Sequence, residues 1–115
     1  AALNPSNGQD AELLSFIDHM AHQAGKLMLV NGQWELRFWM KKKGNPAKVR
    51  IEFKRLNPSA PFFDKTIDAT DDWKEYVYKF EAQDDGKGET IMLKFNAQGD
   101  GTTLLLDDVY LGPVQ

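Results

Sequence analysis

From Gln33 onward, hydrophobic and polar side chains alternate along short segments that are separated by turn residues. Successive side chains of a β-strand point to opposite faces, so this alternation predicts strands with one apolar face and one mostly polar face. The segments end at turn signals such as Gly44-Asn45-Pro46 and Gly99-Asp100-Gly101. The positions assigned to the apolar faces are Trp34, Leu36, Phe38 and Met40; Val49, Ile51 and Phe53; Tyr76, Tyr78 and Phe80; Ile91, Leu93 and Phe95; and Leu105, Asp107, Val109 and Leu111. Because each strand has one apolar face, the pattern predicts an all-β sandwich of two antiparallel sheets packed face to face.

The segment from Ala11 to Ala24 fits two structures. Taken alone it predicts a helix, with Asp10 as its N-cap and Gly25 as its end. The helical stripe consists of Leu13, Phe16, Ile17, Met20, Ala21 and Ala24. The same segment also fits a strand in which Leu14, Phe16 and Asp18 alternate, and a sandwich needs such a strand to complete its sheets.

Composition narrows the class of protein. A chain of 115 residues suits one domain over residues 1–115, and a 42% hydrophobic content is ordinary for a globular core. The net charge of −3 predicts no nucleic-acid partner, and no apolar run approaches the roughly 18 residues that span a membrane. Cysteine is absent, which excludes disulfides and thiolate metal sites. Since the chain starts at Ala1 rather than Met, we expect a piece of a longer precursor or a processed product.

The sequence offers little for catalysis. It has no cysteine nucleophile, no Gly-x-Ser-x-Gly elbow and no glycine-rich phosphate loop. Sequence alone cannot pair two of its many carboxylates across a cleft, as glycoside hydrolysis requires. We therefore predict a protein that is not an enzyme.

Three segments resemble carbohydrate-binding modules of families 4, 9 and 22. Gly32 to Lys41 reads Gly-Gln-Trp-Glu-Leu-Arg-Phe-Trp-Met-Lys and is similar to their "G-x-aromatic-x-hydrophobic-x-Phe-Trp-x-Lys" strand. Asp72 to Phe80 resembles their "Trp-x-x-Tyr-x-x-x-Phe" strand, and Leu104 to Leu111 resembles their final "Ile-Asp-Asp-Val-x-Leu" strand. The three motifs occur in the family's order and spacing, from about Gly25 to Gly112.

This resemblance implies a jelly-roll β-sandwich with galactose-binding-like topology that binds a polysaccharide or oligosaccharide. It implies a secreted or cell-surface location, as an accessory module attached to the domains of a glycoside hydrolase. Such modules usually carry further strands before the "Phe-Trp" strand, and the short stretch before Gly32 departs from that pattern. Because a missing strand leaves an open sheet edge, we expect another copy, another polypeptide or a swapped segment to fill the gap. The alternative is a structural or protein-interaction module of the same fold with no sugar ligand.

Trp39 is the leading candidate for sugar binding. On the alternation it points away from Phe38, and an exposed indole is a stacking surface for the C–H face of a sugar ring. Arg and Glu together supply donors and acceptors for hydroxyls, so we assign Arg37, Arg50 and Glu52 to the site, and Asn96 to its polar cleft. The alternatives are that Trp39 lies under a loop or in a subunit interface, and that the charged residues form cross-strand ion pairs. Trp34 and Trp73 are assigned to the core or to packing at a sheet edge.

Asp107 shares the inward parity of Leu105 and Val109. A buried carboxylate is costly unless it is paired or binds a metal. By the resemblance, the first Asp of the pair is the usual ligand of a structural calcium ion, so Asp107 is the expected metal ligand. The alternative is that Asp107 accepts hydrogen bonds from nearby backbone or from an indole.

Overall fold

A computed structural model describes residues 2–6, 10–18, 32–56, 59–83 and 90–114, with the backbone alone for 15–18 and 90. All of the regular structure in these ranges is β-strand, and no helix among them is long and apolar enough to cross a membrane. The eight strands are β1 (Ala2–Leu3), β2 (Ala11–Asp18), β3 (Gly32–Gly44), β4 (Ala47–Leu56), β5 (Ala60–Asp68), β6 (Lys74–Ala82), β7 (Thr90–Gly99) and β8 (Thr102–Pro113).

The strands form two four-stranded antiparallel sheets. The first, here called the β3 sheet, has the order β1-β8-β3-β6. The second, the β4 sheet, has the order β2-β7-β4-β5. The chain passes back and forth between the sheets, as in a jelly roll. The prediction of an all-β sandwich of two antiparallel sheets is therefore confirmed.

The core lies between the two sheets and is built from the apolar faces that alternation predicted. Phe38 lies at its centre, stacked on Tyr76 with ring centroids 5.1 Å apart and edge-on to Phe95 at 5.2 Å. A second cluster surrounds Phe53, whose ring stacks on Trp34 at 5.8 Å. The assignment of Trp34 to the core is thus confirmed. The largest fully buried side chains are Phe38, Phe53, Phe95, Leu36, Met40, Ile51, Ile91, Leu104 and Val49.

The helix considered for residues 11–24 is wrong over Ala11–Asp18, where the chain forms β2; residues 19–24 lie outside the described part. All eight residues of β2 are in register with β7, from Ala11 opposite Ala97 to Asp18 opposite Thr90. The hydrogen bonds and packing of an edge strand override the local helical periodicity. Leu13 packs against the core and Leu14 is exposed, so the side of the strand that carries Leu14 faces outward.

The inward assignment of Leu105, Asp107 and Val109 on β8 is wrong. Leu104 and Leu106 are the buried residues, whereas Asp107 and Val109 are exposed. The cause is a β-bulge: Arg37 pairs with Tyr110 but Trp39 pairs with Asp107, so two residues of β8 face the single Phe38. Asp108, at φ 51°, is the residue that absorbs the extra length. Beyond the bulge the parity changes and Leu111 packs against the core, as predicted.

Candidate functional site

The five residues assigned to sugar binding lie on two opposite outer faces of the sandwich. Trp39 and Arg37 are on the outer face of the β3 sheet, and Arg50, Glu52 and Asn96 are on the outer face of the β4 sheet. The structure therefore does not bring together the five residues that the sequence analysis assigned to one site. The reason is that β3 and β4 are consecutive in sequence but belong to different sheets, so their polar sides point away from each other. Alternation gives the side on which a residue lies but not the sheet to which its strand belongs.

The outer face of the β4 sheet carries rows of polar side chains, and we call it the polar face. Cross-strand pairing places Asn96 beside Arg50 and, in the next row, Lys94 beside Glu52 and Glu52 beside Asp64. Residues paired in this way point to the same side of a sheet. The polar face thus unites Arg50, Glu52, Asp64, Lys94 and Asn96.

Glu52 lies at the centre of the polar face and is only 8% exposed. Its carboxylate oxygens lie 3.3 Å from Lys54 Nζ, 3.6 Å from Arg50 Nη2 and 3.9 Å from Lys94 Nζ. A recessed carboxylate needs such cations to offset its lost hydration. Glu52 therefore acts as the anionic centre around which three basic side chains are arranged.

Arg50 also makes a two-pronged contact with Asp64 on β5. Its Nε donates to Asp64 Oδ1 at 3.1 Å and its Nη2 to Oδ2 at 2.7 Å, the planar fork geometry that suits a carboxylate. This hydrogen bond lowers the pKa of Asp64 below its ordinary value of 3.8, with a further contribution from the charge of Arg50. The same bond, together with the charges of Glu52 and Asp64, raises the pKa of Arg50. The guanidinium is therefore held in a fixed orientation on the polar face.

The lowered pKa of Asp64 predicts a small acid-sensitive contribution to stability. A carboxyl group with a depressed pKa stabilises the fold above its unfolded pKa, and this contribution is lost as pH falls through the folded pKa. Asp64→Asn should therefore be less stable than the parent protein at pH 7, with the difference disappearing at about pH 2, as urea unfolding at both pH values would show. The difference should be small because both side chains are more than one-third exposed.

Asp68→Asn is the matched control for Asp64→Asn, since it removes a single-contact ion pair with Lys48 at 3.0 Å on the same two strands. It should change stability less than Asp64→Asn. A gap between parent and Asp64→Asn that persists unchanged at about pH 2 would contradict the assignment.

Asn96 is the least satisfied polar group of this face. Only 8% of the residue is exposed, and its Nδ2 donates to Asp10 Oδ2 at 3.0 Å. Its Oδ1 is buried and has no hydrogen-bond partner among the described residues. A buried acceptor without a donor costs about 1–3 kcal/mol. A ligand hydroxyl would remove this cost by donating to Oδ1 once a side-chain movement exposes that oxygen.

The outer face of the β3 sheet holds a different arrangement, a shallow hollow of about 310 Å³ lined by Trp39, Trp73, Asp107 and Asp108. We call it the tryptophan hollow. Trp39 is 39% exposed, as expected for a stacking surface, and it lies under no described loop. Trp73 is 44% exposed, so it does not belong to the core, and its alternative assignment to packing at a sheet edge stays a prediction. Trp73 lies between the turn signal Asp71-Asp72 and β6, where no alternation existed to give its orientation.

Arg37 is engaged within the protein rather than directed into the hollow. Its guanidinium carbon lies 4.5 Å from the centre of the Tyr110 ring, and its Nε is 3.2 Å from a carboxylate oxygen of Glu35. The contact with Tyr110 crosses from β3 to β8, whereas the ion pair with Glu35 lies within β3, so Arg37 does not form the cross-strand ion pair considered as the alternative. Arg37 therefore supports the β3 sheet surface beside Trp39.

Asp107 is exposed, and its Oδ1 accepts a hydrogen bond from the backbone N of Asp108 at 2.9 Å. This contact matches the backbone alternative for its role. Within the described ranges, no group of three His, Asp or Glu side chains is arranged to hold a metal ion. Calcium at Asp107 therefore stays a prediction from the resemblance.

Comparison with known proteins identifies the fold. No family model matches the sequence, and no curated protein is similar to it. Among solved structures, a family 4 carbohydrate-binding module superposes with a TM-score of 0.69 at 19% identity, covering 90% of this chain and 61% of that one. The chain thus spans less than two thirds of that module's length.

Two further structures are similar. The N-terminal cellulose-binding domain of Cellulomonas fimi β-1,4-glucanase C has a TM-score of 0.61 at 17% identity, covering 99% of this chain and 90% of that one. A family 61 module in complex with β-1,4-galactotriose has a TM-score of 0.57 at 16% identity, covering 98% of this chain and 68% of that one. With its two four-stranded sheets, the chain therefore has the jelly-roll fold of the carbohydrate-binding modules.

Proposed function

We propose that this protein binds a polysaccharide or oligosaccharide without cleaving it, and that the polar face is the binding surface. The observation that carries the proposal is that the buried Oδ1 of Asn96, in the middle of an outer sheet face, has no hydrogen-bond partner among the residues that the structure describes. A sugar hydroxyl would donate the hydrogen bond that this oxygen lacks, after a side-chain movement that exposes Oδ1. Arg50, beside Asn96, keeps Nη1 donors for a sugar oxygen while its Nε and Nη2 hold Asp64.

The charges on this face favour an uncharged ligand. Each of three cations on this face pairs with a carboxylate. Arg50 pairs with Asp64, and Lys54 pairs with Glu52. Lys94 Nζ lies 3.6 Å from Glu12 Oε1. A surface with internally paired charges exerts little net attraction on an ion, but it presents many donors and acceptors. That combination suits the hydroxyl groups of a neutral glycan.

An apolar contact lies at the margin of the same face. Leu14 on β2 is 42% exposed and pairs with Lys94, in the row that contains Glu52. The C–H face of a pyranose ring can cover such a side chain and remove apolar surface from water. Hydroxyls on the ring edge would then reach Glu52 and Arg50.

The structural neighbours support this proposal through what their own names state, a cellulose-binding domain and a galactotriose complex. We extend it to the setting inferred from the sequence: an extracellular accessory module joined to a polysaccharide-degrading enzyme. The protein acts there by keeping the attached domain close to its insoluble or polymeric substrate, which raises the effective concentration of that substrate at the enzyme.

The proposal is tested by electrophoresis in native gels that contain hydroxyethylcellulose, barley β-glucan, xylan or galactan. We expect at least one polymer to retard the protein. Asn96→Leu keeps the branched shape of the side chain but removes the acceptor, together with the donor to Asp10, so it should weaken that binding about tenfold, the upper range for one hydrogen bond. Arg50→Ala should weaken it as well.

Gln33→Leu is the matched control, because it makes the same kind of change at an exposed position of the β3 sheet and should bind as the parent does. Retardation by none of the polymers, with parent and variants folded, would overturn the proposal. The alternative of a protein-interaction module would then be favoured if Asn96→Leu shifted the elution volume in gel filtration. Binding that Asn96→Leu and Arg50→Ala leave unchanged would exclude the polar face as the site.

A further inference from the structure

The tryptophan hollow and the neighbouring residue Glu75 place an indole between two carboxylates. Trp39 on β3 pairs with Glu75 on β6 at one side and with Asp107 on β8 at the other. All three side chains are exposed and lie on the same outer face. The row across three strands therefore reads carboxylate, indole, carboxylate.

The β-bulge in β8 creates this row. Unbroken alternation would turn Asp107 inward with Leu105 and Val109, whereas the bulge directs it outward beside Trp39. Its formation places Asp108 in the left-handed region at φ 51°, a conformation that costs an L-residue energy. Bulges that re-aim a side chain are frequent beside binding sites.

The charges of the hollow are not balanced as those of the polar face are. Among the described residues, Glu75, Asp107 and Asp108 form no ion pair. One cation is already present, since Lys41 Nζ lies 5.7 Å from the centre of the Trp73 ring. An indole face attracts an ammonium group through its quadrupole, and Trp39 presents a second such face that carries no described cation.

We propose that the tryptophan hollow binds a glycan residue with a free, protonated amine, that is, an amino sugar. The C–H face of the pyranose stacks on Trp39, and the ammonium group lies between the indole and the carboxylate of Asp107 or Glu75. Stacking on the indole holds the sugar ring, and the excess of carboxylates attracts the positively charged amine. The site is separate from the polar face, so one module would contact two glycan segments on opposite sides.

The test compares a glucosamine hexamer with its N-acetylated counterpart by titration calorimetry and tryptophan fluorescence. We expect the glucosamine hexamer to bind about tenfold more tightly, because acetylation removes the charge. Its affinity should fall when the ionic strength rises from about 0.01 M to 0.15 M, where the Debye length shrinks to about 8 Å. Equal affinities for the two hexamers would overturn the proposal.

Two variants locate the site. Asp107→Asn keeps the Oδ1 acceptor that the backbone of Asp108 uses, so it preserves the bulge while removing the charge. Asp107→Asn and Trp39→Ala should each weaken glucosamine binding about fivefold or more. Gln33→Ala, an exposed change on the same sheet face, should not. Unchanged binding in Asp107→Asn and Trp39→Ala would overturn the assignment.

A hexamer of lysine tests whether the hollow attracts any cation. Binding of this peptide as tight as that of the glucosamine hexamer would overturn the sugar assignment, whereas much weaker binding would support it. Failure of the glucosamine hexamer to bind, while a neutral polymer still retards the protein, would overturn this inference and leave the proposed function intact.

Discussion

Replacing Phe38 with alanine is expected to lower the free energy of unfolding by about 3–5 kcal/mol, the range for a buried aromatic residue. Phe38 is fully buried between the sheets, where its ring packs against Tyr76, Tyr78 and Phe95. Tyr76 and Tyr78 lie on β6 and Phe95 on β7, so the loss affects both sheets at once. Urea unfolding followed by circular dichroism would measure the change.

A loss of this size matters because domains are stable by only about 5–15 kcal/mol. Val77→Ala is the control, since Val77 lies on the neighbouring strand β6 but is 45% exposed and should cost about 0.5 kcal/mol or less. Equal losses in the two variants would contradict the placement of Phe38 at the centre of the core.

The sandwich could be predicted from the sequence because burial follows a period of two wherever a strand is regular. Val49, Ile51 and Phe53 on β4 are buried as alternation requires, and Arg50 and Lys54 between and after them point outward. The polar side of a strand can therefore be assigned with no knowledge of its partners. This reasoning needs nothing beyond the pleat of the strand.

The candidate site could be predicted only in part, because a site depends on which strands become neighbours. Arg50 and Asn96 are 46 residues apart in sequence and adjacent in space because β4 pairs with β7. Trp39 is closer to Arg50 in sequence, yet the turn at Asn45-Pro46 takes the chain into the other sheet. Pairing between distant strands is a tertiary property, and the alternation of apolar and polar residues does not reveal it.

Departures from the local sequence pattern within single strands are the second reason why the fold and the site could be predicted only in part. One extra residue in β8 reverses the parity of Asp107, and eight pairings with β7 make a strand of a segment with helical periodicity. A bulge requires only a local adjustment of the backbone. It does not demand a particular type of residue, whereas a buried face demands apolar residues, so a bulge is hard to recognise in the sequence. The consequence reaches the tryptophan hollow, since the same bulge turns Asp107 outward beside Trp39.

The turn between β3 and β4 is expected to be the second most sensitive position. Gly44 has φ 101°, and a Cβ added there would lie 2.3 Å from the backbone oxygen of Gly101. That oxygen also accepts a hydrogen bond from the backbone N of Asn45 at 3.1 Å, so it cannot move freely. Gly44→Ala should therefore cost about 2–5 kcal/mol, from left-handed strain together with overpacking against the backbone.

Gly32→Ala separates the two causes of this loss. Gly32 has φ 90°, but a Cβ added there meets nothing within 4 Å among the described residues. It should therefore cost only the backbone strain, about 1–2 kcal/mol. The difference between the two variants in urea unfolding gives the cost of the clash with Gly101. A Gly44→Ala protein no less stable than Gly32→Ala would show that β3 and β4 can be joined without this close approach, and the path between the two sheets would have to be drawn differently.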